Sequence, residues 1–226
     1  GLWLWPETLA ASPLFAILPA FAVSAVILVG VGAVDDRFGV PPLLKLGAQI
    51  VAAGILCWAG ARLTLPAAWG AWAHSAWVYI PLTLAWYIGV VNAFNLIDGL
   101  DGLSSGLAII ATIGMVGAAF FVDAAILPAF SFIFIGALLG FLRYNYNPAS
   151  VFLGDSGSLF VGLTLATIAL VSRRSDAFIV SMGVPILCIG VPLIDTCLAI
   201  LRRTLRAILR RVTPADALPQ DGAHSA

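Results

Sequence analysis

Seven stretches of this chain are apolar for close to 20 residues each, at roughly 13–33, 43–61, 77–95, 103–122, 125–142, 151–171 and 177–200. Near 20 residues is the length a helix needs to cross about 30 Å of hydrocarbon. With 62% apolar and 10% charged residues, the composition is far from the roughly 45–50% and 25% of a soluble domain. The expected fold is therefore all-α, a polytopic transmembrane bundle of about seven spans. Residues 13–211 form its membrane domain, 1–12 an extracytoplasmic or interfacial start and 212–226 a cytoplasmic tail.

Alternating the direction of each crossing brings the polar punctuation to one face. Asp35-Asp36 ends the first span and the run Asn92–Gly102 ends the third. Arg143-Tyr144-Asn145 closes the fifth, Gly154-Asp155 opens the sixth and Arg202-Arg203 closes the seventh. The same face collects Arg37, Lys45, Arg143, Arg202, Arg203, Arg206, Arg210 and Arg211, against Arg62, Arg173 and Arg174 opposite. Eight basic residues against three make the motif face cytoplasmic by the positive-inside rule. The opposite level holds Trp3, Trp5, Trp58, Trp69, Trp72 and Trp77, as an interfacial aromatic belt would.

A net charge of zero, with the basic residues confined to membrane-flanking positions, argues against nucleic-acid binding. The cluster Arg202–Arg211 reads first as attraction to anionic headgroups. Cys57, Cys188 and Cys197 lie inside spans without metal-ligand spacing and are expected to be small buried apolar groups. Residues 1–12 lack a charged n-region, so no signal peptide is expected.

Carboxylates are costly near hydrocarbon and mark a site by default. Asn92, Asn95, Asp98 and Asp101 recur every third residue, and on a helix each such step turns about 300°, leaving them on one drifting side with converging side chains. Gly99 and Gly102 loosen the chain where those carboxylates must approach something bulky. A capping and turn cluster is the plainer reading of DGLDG, and the segment fails the calcium-loop pattern. Asp35-Asp36 is an adjacent pair that repels itself unless a cation intervenes, which favours a metal or cationic environment. Lys45, opening the next span on the same face, can meet a phosphate as a point charge. Gly154-Asp155-Ser156-Gly157-Ser158 opens the sixth span, where unpaired helix N–H groups suit phosphate oxygens and Asp155 offers a hard oxygen to magnesium. Gly106, Gly114 and Gly117 read as close helix contacts.

The GDSGS string invites comparison with serine proteases, but a histidine base is wanting: His74 falls in an extracytoplasmic loop and His224 in the tail. A transporter would place ionisable residues near the bilayer midplane on broken helices with matching halves, whereas these lie at span ends. An inactive membrane scaffold would tolerate loss of the acidic motifs.

The segments VDDRFGVPPLLK at Val34–Lys45, NAFNLIDGLDGLSSG at Asn92–Gly106 and FLRYNYNPASVFLGDSGSLFVG at Phe141–Gly162 resemble the polyprenyl-phosphate N-acetylhexosamine-1-phosphate transferases. The likeness runs from about residue 14 to about 211. It is greatest to the GlcNAc-type enzymes that prime O-antigen, enterobacterial common antigen or teichoic acid linkage synthesis, with the phospho-MurNAc-pentapeptide transferases as close relatives. The resemblance implies transfer of N-acetylhexosamine-1-phosphate from a UDP-sugar to undecaprenyl phosphate, with release of UMP, at the cytoplasmic face of a bacterial inner membrane. It implies magnesium, with manganese as a substitute, and is compatible with a homodimer. Carried residue by residue, it makes Asp155 the metal ligand and Asp98 and Asp101 catalytic, with Asp35 and Asp36 catalytic near the lipid phosphate, and it matches Asn95, Asn145 and Phe152 to positions lining the uridine-diphosphate site. Lys45, Asn92 and Gly154 are expected to bind substrate beside them. Members of that family also carry a span or two before the Asp-Asp pair and a histidine-rich cytoplasmic loop after the seventh span. Of that loop, His224 is the one histidine this sequence could supply.

Overall fold

The computed structural model describes residues 13–65, 67–120, 127–171, 190, 194, 198 and 201–206, and among these there is no β-strand. Six helices carry the architecture: α1 (Pro13–Phe38), α2 (Pro42–Trp58), α3 (Ala76–Ile97), α4 (Leu103–Phe120), α5 (Leu127–Asn145) and α6 (Gly154–Val171). They overlay the first six apolar windows. The seventh window and the tail lie almost wholly outside the described residues, as do Trp3, Trp5, Arg173, Arg174, Cys188, Cys197, Arg210, Arg211 and His224. By length and composition, Ala16–Phe38, Ala76–Ile97 and Gly154–Val171 are able to cross a membrane, and α2, α4 and α5 are shorter apolar helices.

Local chemistry sets the corners. Gly39, at φ 72°, and the pair Pro41-Pro42 turn the chain out of α1, with Pro42 in the first turn of α2, where a missing N–H costs nothing. α2 stops at Ala59 and Gly60, the latter at φ 101°, and the Ala61 N–H closes the end onto the Leu56 carbonyl at 2.9 Å. Two 3₁₀ turns, Ala67–Trp69 and Ala71–His74, cross to α3 with Trp69 and Trp72 stacked at 6.4 Å. Gly102, at φ 72°, reverses the chain between α3 and α4.

α6 is the axis of the bundle. It packs against α1, α3, α4 and α5, and of its residues from Ser158 to Leu170 all but Phe160 are buried, as for a helix that is apolar on every side. Two glycines set how closely it is embraced. A Cβ on Gly32 of α1 would stand 2.4 Å from Ser156 Cα, and one on Gly162 would stand 2.6 Å from Val91 Cα of α3. The expectation that Gly106 and Gly117 mark close helix contacts is corrected among the described residues, since a Cβ at either would meet none of them within 4 Å. Composition alone does not say which glycine faces a neighbour.

Several polar residues in the apolar zone are paired across helices. Gln49 and Asn92 exchange reciprocal amide bonds of 2.7 and 3.2 Å between α2 and α3, Ser24 Oγ donates to the Ala52 carbonyl, and Trp86 Nε1 donates to the Ala166 carbonyl. Cys57 is buried, as expected of a small apolar group. Trp58 and Trp77, at 90% and 91% exposure, stand out from the end opposite the acidic motifs, where Arg62 lies over the Tyr79 ring at 4.6 Å.

Candidate active site

The polar end of the bundle is assembled from the last turn of α1, the start of α2, the end of α3 and the first turn of α6. Adjacent residues on a helix point about 100° apart, so Asp35 and Asp36 diverge rather than share a cation. The Asp35 carboxylate accepts from the Val40 N–H at 2.6 Å and from Lys45 Nζ at 2.7 Å, facing α2. Asp36 faces α6, accepting from the Asp155 N–H at 2.7 Å, the Ser156 N–H at 3.1 Å and Ser156 Oγ at 2.7 Å. The adjacent pair is expected to favour a metal or cationic environment; Asp35 meets the Lys45 cation, while Asp36 has hydrogen-bond donors of its own.

Lys45 is the hub. Its ammonium bonds Asp35 and Asp155 at once and stands 3.5 Å from Asn95 Oδ1. Asn95 Nδ2 donates to Asp155 Oδ1 at 2.8 Å and to Ser158 Oγ at 2.9 Å. The Asp155 carboxylate is thus aimed by residues of α2 and α3 while its own backbone N–H is held by α1.

Asp98, just past the end of α3, is half-buried, and its pKa is pushed up to about 6. Burial is the main cause, and the Asp155 and Asp36 carboxylates add to it, against a partial offset from the Gly154 N–H donating to Asp98. Four aspartates therefore gather at this end, among the described residues, with one lysine, which is bonded to two of them, Asp35 and Asp155. Among the described residues no three His, Cys, Asp or Glu side chains converge on a single ion position.

The first turn of α6 departs from the sequence reading. Its N–H groups are not free for phosphate oxygens: Gly154 donates to Asp98, Asp155 and Ser156 donate to Asp36, and Gly157 donates to the Leu153 carbonyl at 3.2 Å. Gly154 takes φ 65°, and a Cβ there would lie 2.9 Å from Asp36 Oδ2. An intramolecular carboxylate already takes the anion's place at this helix end.

The three-residue series on α3 converges only in its middle. Asn95 and Asp98 enter the cluster, while Asn92 sits deeper, tied to Gln49 and to the Ile88 carbonyl. Asp101, past the end of the helix, accepts from Asn147 Nδ2 and the Ala149 N–H, both at 3.1 Å, and so pins the loop after α5. Asn145, only 4% exposed, accepts from the Gly102 N–H and Ser105 Oγ and donates to the Val151 carbonyl. All of its polar atoms are used in holding two loops together. Phe152 is 69% exposed beside this loop. The sequence names Ser156 and Ser158 only as members of the motif that opens the sixth span, with no role of their own, and does not mark Gln49. A lone amide inside an apolar window was the signal available for Gln49.

The family model described as glycosyl transferase family 4 matches residues 18–173, which include this whole cluster. The chain belongs to glycosyl transferase family 4. Over 191 residues, 83% of the chain, this family 4 sequence is 34% identical to the probable undecaprenyl-phosphate N-acetylglucosaminyl 1-phosphate transferase of Bacillus subtilis (strain 168), of which it covers 53%. It is 32% identical over 225 residues to the decaprenyl-phosphate N-acetylglucosaminephosphotransferase of Mycobacterium tuberculosis (strain ATCC 25618 / H37Rv), covering 83% of the chain and 52% of that protein. A shorter match, 47% identical over 99 residues, joins it to the phospho-N-acetylmuramoyl-pentapeptide-transferase of Staphylococcus haemolyticus (strain JCSC1435), over 44% of the chain and 31% of that protein. The chain spans about half the length of the curated GlcNAc-type relatives it matches.

Proposed function

We propose that this chain carries the site of a phosphoglycosyl transferase that moves N-acetylglucosamine-1-phosphate from UDP-GlcNAc to undecaprenyl phosphate and releases UMP. In this reading it sits in a bacterial inner membrane as a bundle of about seven spans, with the polar end facing the cytoplasm. The observation that carries the proposal is the gathering of Asp35, Asp36, Asp98 and Asp155 with Lys45 at one end of an apolar bundle, the lysine bonded to Asp35 and Asp155, in a chain of family 4. The relatives that match along most of the chain, rather than part of it, favour the GlcNAc branch.

The chemistry is one displacement at phosphorus. An oxygen of the lipid phosphate forms a bond to the sugar-bearing phosphorus, the bond from that phosphorus to the bridging oxygen breaks, and the electron pair leaves on UMP. A phosphate monoester has a second pKa of about 6 and is mostly dianionic at neutral pH. No general base is then needed, and neutralisation and positioning dominate.

The residues present suit magnesium in a restricted sense. Asp155 and Asp98 present neighbouring carboxylates, Asp98 being hard to ionise chiefly through burial and further through the Asp155 charge, and magnesium is commonly held by one or two carboxylates with substrate oxygens and water completing the shell. When bound there, the ion would neutralise the diphosphate and polarise its phosphorus. Lys45 supplies a fixed positive charge between Asp35 and Asp155, within reach of an incoming phosphate. Asn95 orients Asp155, and Asp101 with Asn145 holds the loop that carries Phe152. Radiolabelled UDP-GlcNAc incubated with undecaprenyl phosphate and this chain in lipid nanodiscs tests the proposal. Labelled lipid and free UMP are the expected products. Transfer from UDP-MurNAc-pentapeptide instead would move the chain to the other branch, and transfer from neither donor would sink the reading.

A further inference from the structure

Asp36 has the hallmarks of a group built to hold a helix rather than to react. We propose that Asp36 is a positioning residue, an interhelical cap from α1 on the first turn of α6, whose task in the transfer proposed above is to fix Asp155. Both of its oxygens are committed to α6, one to the Asp155 N–H and the other to the Ser156 N–H and Oγ. Charge-assisted bonds to backbone N–H groups at a helix start are reinforced by the helix dipole. Three of the roughly four lone-pair sites of the carboxylate are engaged in this way.

Two glycines show that the fit is specific. Gly32 lies one turn before Asp36 on the same face of α1, at the i, i+4 spacing. There the α1 backbone comes so close to α6 that a Cβ would strike the Ser156 backbone at 2.4–2.5 Å. Gly154, in the left-handed region, leaves open the space the Asp36 carboxylate fills. Gly32 sets the approach, Asp36 makes the bonds and Gly154 clears the room. Asp155 comes directly after Gly154, so the cap fixes the backbone from which its side chain starts, and Lys45 and Asn95 then orient the carboxylate.

The inference rests on the metal role proposed for Asp155, and the test separates the two. Backbone hydrogen exchange of the segment 154–158 is followed by mass spectrometry in the metal-free chain in nanodiscs, and Mn2+ binding without substrate is followed by electron paramagnetic resonance. Asp36→Asn keeps the size of the side chain but sets an NH2 group against a backbone donor. Gly154→Ala keeps the carboxylate and disturbs its seat, so it carries both readouts should the first variant fail to fold. Loss of a cap of this strength is expected to speed exchange about tenfold in both variants. The Mn2+ dissociation constant should rise by a similar factor with the number of sites unchanged, whereas a purely structural defect would lower the number of sites and not their affinity. Unchanged exchange, or faster exchange with unaltered Mn2+ affinity, overturns the proposal. A wild-type chain that binds no Mn2+ overturns the metal role of Asp155 instead, and the exchange rates then decide the cap alone.

Discussion

The two ends of the bundle are made from the same kinds of helix and finish in opposite ways. At the acidic end, side chains of α1, α2, α3 and α6 bond one another across helices, and Asp35, Asp36, Asp98 and Asp155 each have a partner elsewhere in the chain. At the other end the polar and aromatic groups mostly face outward: Trp58 and Trp77 are exposed, Trp69 and Trp72 stack within their own loop, and Arg62 covers Tyr79. An end organised by cross-helix bonds between charges is costly to assemble near hydrocarbon and persists when it acts on something. An end organised by exposed indoles suits a headgroup layer. Substitutions at the first should lower transfer about tenfold or more, and substitutions at the second should barely touch it.

Asp155→Asn breaks the acidic end at its centre and should show the largest effect. Turnover is expected to fall about a thousandfold, as when a principal electrostatic group of an active site is removed. Normal turnover with an unchanged magnesium response would remove Asp155 from the site. The same variant probes electrostatics without an assay. Asp98 should titrate near 6 in the metal-free wild type and lower once the neighbouring charge is gone, because removing a negative charge makes the second carboxyl easier to ionise. Carboxyl-carbon NMR of the two proteins decides it, and an unmoved Asp98 would leave burial as the whole cause.

Next in size is Lys45→Met, expected to lose about a hundredfold in turnover by leaving Asp35 and Asp155 without their shared cation. Lys45→Arg should recover little of this, because a planar guanidinium cannot replace a compact ammonium between two carboxylates. Full recovery in the arginine variant would mean that charge alone matters there. Asp35→Asn should be milder, about tenfold, since Lys45 keeps its bond to Asp155. If raising the pH well above the second pKa of the lipid phosphate restored this variant fully, Asp35 would be a general base after all.

Much of the fold was legible because hydropathy and span length are local properties. The windows at 43–61 and 103–122 became helices at 42–58 and 103–120, with ends shifted where Pro42, Gly60 and Gly102 dictate. The meeting of three distant motifs on one face was also legible, since it follows from alternating crossings. Side-chain direction was not. Three-residue spacing put Asp101 with Asp98, yet the helix ends at Ile97, so Asp101 obeys loop geometry and turns to Ala149. Asp35 and Asp36 read as a unit in sequence, but their 100° separation sends one to α2 and the other to α6. The glycines that matter, Gly32 and Gly162, differ from Gly106 and Gly117 only in what stands opposite them, which no single sequence prints.

Arg62→Ala is the smallest expected effect and the sharpest test of the contrast between the ends. Arg62 shares its end with Trp58 and Trp77 and contacts the Tyr79 ring, while its backbone N–H donates to the Gly60 carbonyl at 2.9 Å. An exposed cation–π contact is worth about 0.5–1 kcal/mol, so a drop in melting temperature of a few degrees at most is expected. Transfer should stay within about twofold of wild type, because the helices between this end and Lys45 are packed and rigid on the scale of a single surface contact. A large loss of turnover with unchanged stability would mean that the aromatic end takes part in lipid entry or release. The division of labour between the two ends would then have to be abandoned in favour of a path running the length of the bundle.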